Sequence, residues 1–189
     1  THRQLKDVFP QVDSFDNKRP IYGWEAEATL ADFGGVSNVN VYYAYNTGLV
    51  TQLFKDGQLM TNLTSNVTTK KTEIGVEVND GASAVGVDST TGFEQHDLMK
   101  INNEWMQVSA VTDGTTLAVS SSRNLFGTHQ ATHIVDSGVY LSVDESTIDS
   151  VHQNWFFYDA ALDLTVACFD GDINPNNLNM EAGEDFNTL

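Results

Sequence analysis

The feature that most constrains the fold of this chain is a period-two alternation of apolar and polar residues in its first half. Every second residue from Val39 to Tyr45 is Val or Tyr. Successive side chains of a β-strand point to opposite faces, so this spacing predicts strands with one buried face. Asp56-Gly57 separates two further apolar runs and suits the positive φ angles of a tight hairpin turn. Residues 1–79 therefore predict a meander of short antiparallel strands.

The central region, residues 80–142, carries turn signals at short intervals, among them Asp113-Gly114. Frequent turns between short apolar runs are typical of a small β-sandwich or barrel. The predicted strands are Ala84–Val87, Asp97–Ile101, Glu104–Val111, Thr116–Ser120 and Val139–Val143.

The last region, residues 143–189, predicts one short helix, one hairpin and a polar, acidic tail. Glu145–Gln153 is the modest helix candidate, and Trp155–Tyr158 with Leu164–Phe169 reads as the hairpin. The predicted fold class is mainly β with minimal helix: a meander, a small β-sandwich or barrel module, and this C-terminal segment.

Charge is distributed unevenly along the chain, whose formal net charge is −17. Residues 1–71 hold seven basic and seven acidic side chains, whereas residues 72–189 hold 19 acidic ones against Lys100 and Arg123. Nucleic-acid binding depends on Lys and Arg that displace counterions from phosphate, so sequence-specific binding to DNA or RNA is not expected. The acidity is typical of a solubilising surface, or of one that meets basic partners, binds cations or lets DNA pass.

Membrane and redox signals are weak. The longest apolar runs, such as Leu162–Phe169, are far shorter than the ~20 residues of a membrane helix, so no membrane partner is expected. The first residues lack an apolar signal core, which leaves secretion by that route unsupported. Cys168 has no cysteine partner and lies in an apolar stretch, so we interpret it as a small core residue.

No motif in the sequence indicates catalysis. A Gly-x-Ser-x-Gly elbow and a phosphate-binding Gly-Lys-Ser loop are both absent. His129 and His133 have the spacing of a helical metal pair, but their neighbours favour a loop. A glycosidase needs two carboxylates at a set separation, and among 26 acidic residues some pair always fits, so such a pair is not evidence of this activity. We therefore expect no enzyme activity and no cofactor.

One acidic loop is a weak calcium candidate. Its Pro175 stands where a calcium-binding loop needs Gly, and its flanks are not helices, so a plain turn is the favoured interpretation. Oxygen-bearing side chains occupy the five ligand positions 1, 3, 5, 7 and 12 of this loop: Asp170, Asp172, Asn174, Asn176 and Glu181.

Residues 85–140 carry an ordered set of short motifs. They read Val-Gly-Val-Asp-Ser-Thr-Thr-Gly-Phe, then Glu-Trp-Met-Gln-Val, Thr-Leu-Ala-Val, an Arg, Phe-Gly-Thr-His-Gln-Ala-Thr-His and a closing Gly-Val-Tyr. This order resembles a small β module that recurs in virion structural proteins of tailed bacteriophages. The usual pattern of that module is a Thr-Gly-Phe turn, a strand ending near a Glu, Met and Val, a Leu-Thr-Val strand, then Arg-Gly, Gly-Thr and a His before a closing Gly. The resembling pattern has Gly after its Arg, whereas here Arg123 is followed by Asn124. The segment that runs from Trp155-Phe-Phe-Tyr-Asp through Glu181-Ala-Gly-Glu-Asp also resembles segments of phage neck and connector proteins.

The resemblance implies a structural subunit of the virion, at the neck or head–tail connector. Expected partners are copies of the chain in a ring and other virion proteins such as portal, connector or tail. Aromatic residues on both faces of a strand meet either a second sheet of the same chain or a neighbouring subunit, and the resemblance favours the subunit. An alternative from another class is a tail, baseplate or fibre module that binds a carbohydrate or receptor. The candidate interface residues are Tyr43, Tyr45, Trp155, Phe157, Arg123 and Lys100.

Overall fold

The computed structural model describes residues 18–27, 40–64, 69–119, 123–143, 154–169 and 173–183. In these ranges the chain is mainly β, as the alternation predicts, and its strands form several small sheets without a closed barrel. The strands are β1 Arg19–Pro20, β2 Glu25–Ala26, β3 Asn40–Tyr45, β4 Gln52–Lys55, β5 Gln58–Leu59, β6 Thr61–Asn62, β7 Lys70–Glu73, β8 Ala84–Gly86, β9 Leu98–Ile101, β10 Glu104–Gln107, β11 Ala110–Asp113, β12 Thr116–Ala118, β13 Gly138–Val143, β14 Trp155–Asp159, β15 Leu164–Phe169 and β16 Met180–Gly183. One 3-10 helix spans Pro175–Asn177. The predicted helix Glu145–Gln153 lies outside the described residues.

The two ends of the described chain form one unit, which we call the frame. Its five-stranded sheet has the order β2-β3-β15-β14-β6, and its four-stranded sheet has the order β1-β16-β4-β5. The predicted hairpin β14–β15 is confirmed, but its strands pair outward with β3 and β6 from the N-terminal part. The C-terminal segment is therefore integrated with the N-terminal strands.

The polar tail expected after residue 169 contains a strand that the sequence analysis missed. β16 lies between β1 and β4 and pairs antiparallel with both. Met180 and Ala182 are buried, whereas Glu181 between them is half-buried. Two apolar residues in a run of four are too few for the alternation to stand out, which explains the wrong expectation.

The middle of the chain forms the module, which packs two small sheets against each other. These sheets have the orders β10-β9-β13-β7 and β11-β12-β8. β7 pairs with β13, so Lys70–Glu73 belongs with the module, although the sequence alternation predicts it as part of the meander. The Asp113-Gly114 turn joins β11 to β12 as predicted. Buried aliphatic side chains from both sheets, including Val85, Met99 and Leu117, fill the space between them.

A second core joins the module to the frame. Trp105 and Phe126 of the module pack against Phe157 of the frame, with ring centroids 4.9 to 6.1 Å apart. All three side chains are fully buried. Aromatic burial on this scale dominates the energetics of a contact, so the module is held against the frame by a shared aromatic core.

Candidate functional site

The most concentrated group of charged side chains surrounds Glu104, at the start of β10. Asn102 takes φ +54° in the turn before it, which brings the chain back on itself. The Glu104 carboxylate is buried at 1% exposure and accepts hydrogen bonds from Arg123 Nε and Nη2, both at 2.7 Å. It also accepts from Ala131 N at 3.0 Å, and its Oε2 lies 2.8 Å from His133 Nε2. A single carboxylate thus gathers three segments of the module.

The balance of forces on Glu104 favours its ionised form. Burial alone would raise the pKa of its carboxyl, because a charge loses its hydration inside the protein. The hydrogen bonds from His133, Arg123 and the Ala131 backbone outweigh burial and lower the pKa to about 2. Glu104 therefore acts as a permanent anion at neutral pH.

Arg123 completes the charge cluster, which we define as Glu104, Arg123 and His133. Its guanidinium is 2% exposed and donates from Nη1 to Asn79 O at 2.8 Å and to Ala82 O at 3.3 Å. Nη2 also donates to Ala131 O at 2.7 Å. The planar fork of arginine suits several simultaneous acceptors. Arg123 therefore ties the 79–82 turn and the 131–133 segment to β10.

The loop after Arg123 has several residues with positive φ, and Thr128 ties it to Trp105 of β10. Asn124, Phe126 and Gly127 take φ values of +56°, +55° and +70°. Thr128 Oγ1 accepts from Trp105 N at 3.1 Å and donates to Leu125 O at 2.7 Å. Asn tolerates the left-handed region better than most residues with a side chain, so Asn124 makes the turn for which the resembling module uses Gly.

A second buried ion pair connects the module to the frame. Lys100 Nζ on β9 lies 2.5 Å from Asp159 Oδ2 at the end of β14. Trp105 Nε1 donates to the same oxygen at 3.0 Å, and Ala161 N donates to Oδ1 at 3.1 Å. The pair lies beside the shared aromatic core, so both polar and apolar contacts hold the two units together.

Four of the six predicted interface residues are buried inside the chain. Arg123 and Lys100 are used in the two ion pairs described above. Trp155 and Phe157 are fully buried, because β14 is an inner strand of its sheet and both of its faces are covered. Their side chains offer no surface to a second subunit, which corrects the expectation for these four. Covering by the same chain, the alternative left open for such aromatics, accounts for Trp155 and Phe157.

Tyr43 and Tyr45 retain partial access to solvent. Tyr45 is 38% exposed, and its hydroxyl donates to Phe126 O at 2.8 Å. Tyr43 is half-buried and donates to Glu25 Oε2 at 2.8 Å. Burial raises the pKa of the Tyr43 phenol, and the hydrogen bond to Glu25 raises it further. A contact role for these two residues stays a prediction.

The candidate metal ligands do not converge in the described residues. His129 is exposed, whereas His133 is bonded to Glu104. The Asn174 side chain accepts a hydrogen bond from Asn176 N at 2.9 Å, and the Asn176 side chain is hydrogen-bonded to the backbone N and O of Trp24. Glu181 lies in β16, with its Oε2 3.8 Å from Lys18 Nζ. Asp170 and Asp172 lie outside the described residues. Within the described ranges no three His, Cys, Asp or Glu side chains come together as a metal site requires.

Sequence reasoning missed Glu104 and Asp159 as partners of the buried cations, and it missed His133 as a further partner of Glu104. The sequence pattern places Glu104 at the start of the predicted strand Glu104–Val111, and no local pattern marks it as a charge partner. The available signal was the isolation of Lys100 and Arg123 among 19 acidic residues. A lone cation in such a stretch is a candidate for a buried pair, since buried charges require partners.

Comparisons with known proteins add little to this picture. No protein-family model matches the chain, and no curated protein matches it either. A solved glycoside hydrolase aligns with 87% of this chain at 9% identity and a TM-score of 0.31. This chain covers 30% of that structure, and a likeness so distant carries no argument about fold or activity. In the described residues, no helix has the length and apolar character of a membrane span.

Proposed function

We propose that this chain is a structural subunit of a tailed-phage virion, placed at the neck or head–tail connector and assembled as a ring. It works by assembly rather than catalysis, and its partners are copies of itself and neighbouring virion proteins. The sequence resemblance of residues 85–140 to a recurrent phage module is the starting point.

The observation that carries the proposal is that residues from separate motifs of the resembling module lie close together in the structure. Its Glu, Arg, Gly-Thr and His elements correspond here to Glu104, Arg123, Thr128 and His133. Glu104, Arg123 and His133 form the charge cluster. Thr128 Oγ1 accepts a hydrogen bond from the backbone N of Trp105, the residue after Glu104. Short motifs that match by chance have no reason to meet around one buried carboxylate. Their meeting supports a shared architecture.

The distribution of charge supports the same function. Lys100 and Arg123, the two cations of residues 72–189, are buried in ion pairs. The module therefore presents its carboxylates to solvent with few counter-charges, since only Lys70 and Lys71 are exposed among its described basic residues. The exposed acids are Glu77, Asp80, Asp88, Glu94, Asp113 and Asp136. Such a surface repels nucleic-acid phosphate, which suits a component on the path of packaged DNA.

The proposal is tested on purified particles of the phage that encodes the chain. Mass spectrometry should detect the chain at several copies per particle, and gold-labelled antibody should mark the junction of head and tail in electron micrographs. Absence of the chain from particles would overturn the virion assignment. Label confined to the tail tip or fibres would overturn the neck position.

A further inference from the structure

Three exposed aliphatic side chains come together on the module, and we call them the aliphatic patch: Val76, Ile134 and Val135. Their exposed fractions are 68%, 65% and 46%. Other exposed hydrophobic residues, such as Leu59 on β5, belong to other parts of the fold. Single exposed hydrophobic residues are ordinary, whereas contiguous ones mark contact surfaces.

Backbone hydrogen bonds bring the patch together. Val78 and His133 exchange bonds of 2.9 and 2.8 Å, and Ile74 N donates to Ser137 O at 2.9 Å. These bonds hold segment 74–78 beside segment 133–137, where Ser137 N donates to Ile134 O at 3.2 Å in a turn. Val76 and Val135 both lie between the two points at which the segments are bonded. Ile74 and Val78 are buried, whereas Val76 between them is 68% exposed, so the chain bends here and departs from the regular alternation of a strand.

The patch stands on well-anchored structure. A Cβ built on Gly86 of β8 would lie 3.3 Å from Val76 Cβ, so Val76 packs directly across that glycine. On the other segment, His133 precedes Ile134 and is bonded to Glu104 of the charge cluster. Exposure of these side chains is therefore built into the fold of the module.

Three carboxylates lie next to residues of the patch in the chain or in space. Glu77 and Asp136 follow Val76 and Val135 in the chain, and both are exposed. Asp88 lies beside Gly75, where its Oδ1 would be 2.9 Å from an added Cβ. Of the two lysines on the adjoining strand β7, Lys70 is paired with Glu73, and Lys71 lies at Gly92, where its Nζ would be 2.6 Å from an added Cβ. The rim of the patch is therefore negative.

We infer that the aliphatic patch docks a basic segment of a different protein, one that carries aliphatic side chains between Lys or Arg residues. A second copy of this chain would bring the same acidic rim against its own, and like charges facing each other oppose association. Opposite charge at the rim steers a basic partner, while the apolar centre provides the contact area. The identification of that partner as a neighbouring virion protein rests on the proposed function; the chemistry of the site does not.

The test uses the full chain and a fluorescein-labelled synthetic peptide of alternating Leu and Lys, with binding followed by fluorescence anisotropy. The double variant Val76→Ser/Ile134→Ser should bind the peptide at least about tenfold more weakly. Leu59→Ser, which removes an exposed apolar side chain of the frame, should bind within about twofold of the wild type. Glu77→Gln/Asp136→Asn should weaken binding and reduce its dependence on salt. Unchanged melting temperatures confirm that the variants fold.

Two results would overturn the inference. One is equal binding of a control peptide with Ser in place of Leu, because charge alone would then explain the affinity. The other is a concentration-dependent dimer in sedimentation that Val76→Ser/Ile134→Ser abolishes, because the occupant would then be a second copy. Absence of the chain from phage particles, with peptide binding intact, would refute the virion assignment and leave the docking site standing.

Discussion

Lys100 and Asp159 form a buried ion pair that joins two parts of the molecule 59 residues apart in sequence, with 2.5 Å between Nζ and Oδ2. One member lies on β9 of the module and the other at the end of β14 of the frame. Trp105, which donates to the same carboxylate, also packs against Phe157. The Lys100–Asp159 pair is therefore one of the polar contacts that orient the module on the frame, and it is embedded in an aromatic core.

This pair should show strong energetic coupling. Lys100→Ala and Asp159→Ala should each destabilise the chain, because each leaves the other charge buried without its partner. The free energy of unfolding should fall less in the double variant than the sum of the two single losses, which corresponds to a coupling energy of about 1–3 kcal/mol. Urea denaturation of the wild type, the two single variants and the double variant measures this coupling energy. Additive losses of unfolding free energy would show that the contact contributes nothing.

Arg123 should be among the most sensitive positions of the chain. Arg123→Ala removes the cation that faces Glu104 and three backbone carbonyls, so the free energy of unfolding should fall by about 3–5 kcal/mol. Lys71→Ala, which removes an exposed cation of the same module, should change it by less than about 0.5 kcal/mol. Equal effects of the two variants in urea denaturation would contradict a structural role for the charge cluster.

The charge cluster also predicts how stability depends on pH. The pKa of Glu104 is lowered from 4.5 to about 2 in the folded chain, so its contribution is fully present above pH 4.5. That contribution is lost as the pH falls from 4.5 towards 2, where the folded form also takes up the proton. The gap in unfolding free energy between wild type and Glu104→Gln should therefore be large at pH 7 and should narrow across this range. A gap that stays constant down to pH 2 would show that ionisation of Glu104 does not stabilise the fold.

Asn124 provides a test of the turn that departs from the resembling pattern. At φ +56°, Gly is free of the Cβ clash, so Asn124→Gly should keep or slightly raise the melting temperature. Asn124→Val should lower stability by about 1–2 kcal/mol, because a β-branched side chain is strained in the left-handed region. Thermal unfolding compares the two, and equal effects would show that backbone conformation does not limit this position.

The sequence predicted the elements that are specified locally. Leu164–Phe169 forms a strand with the predicted bounds, and the Asp56-Gly57 turn has φ +49° and +80° as a tight hairpin requires. Strands of two residues, such as Arg19–Pro20, are too short for any periodicity, and they exist because of their partners across the sheet.

The buried site could be predicted only in part, for a related reason. Glu104 meets Arg123 and His133, which lie 19 and 29 residues away, and no local pattern encodes such pairings. The same lack of long-range information explains why the sequence suggests Trp155 and Phe157 as candidate interface residues. Their strand is an inner one only because β3 and β6 come from the other end of the chain.

Deletion of the coding region from the genome that carries it tests the proposed virion function most directly. The account predicts that the deletion abolishes infectious particles and leaves heads and tails unjoined in electron micrographs. Wild-type chain supplied in trans should restore the titre, whereas the destabilised Arg123→Ala chain should restore it less. Normal infectious particles without the chain would contradict its assignment as a structural subunit of the virion.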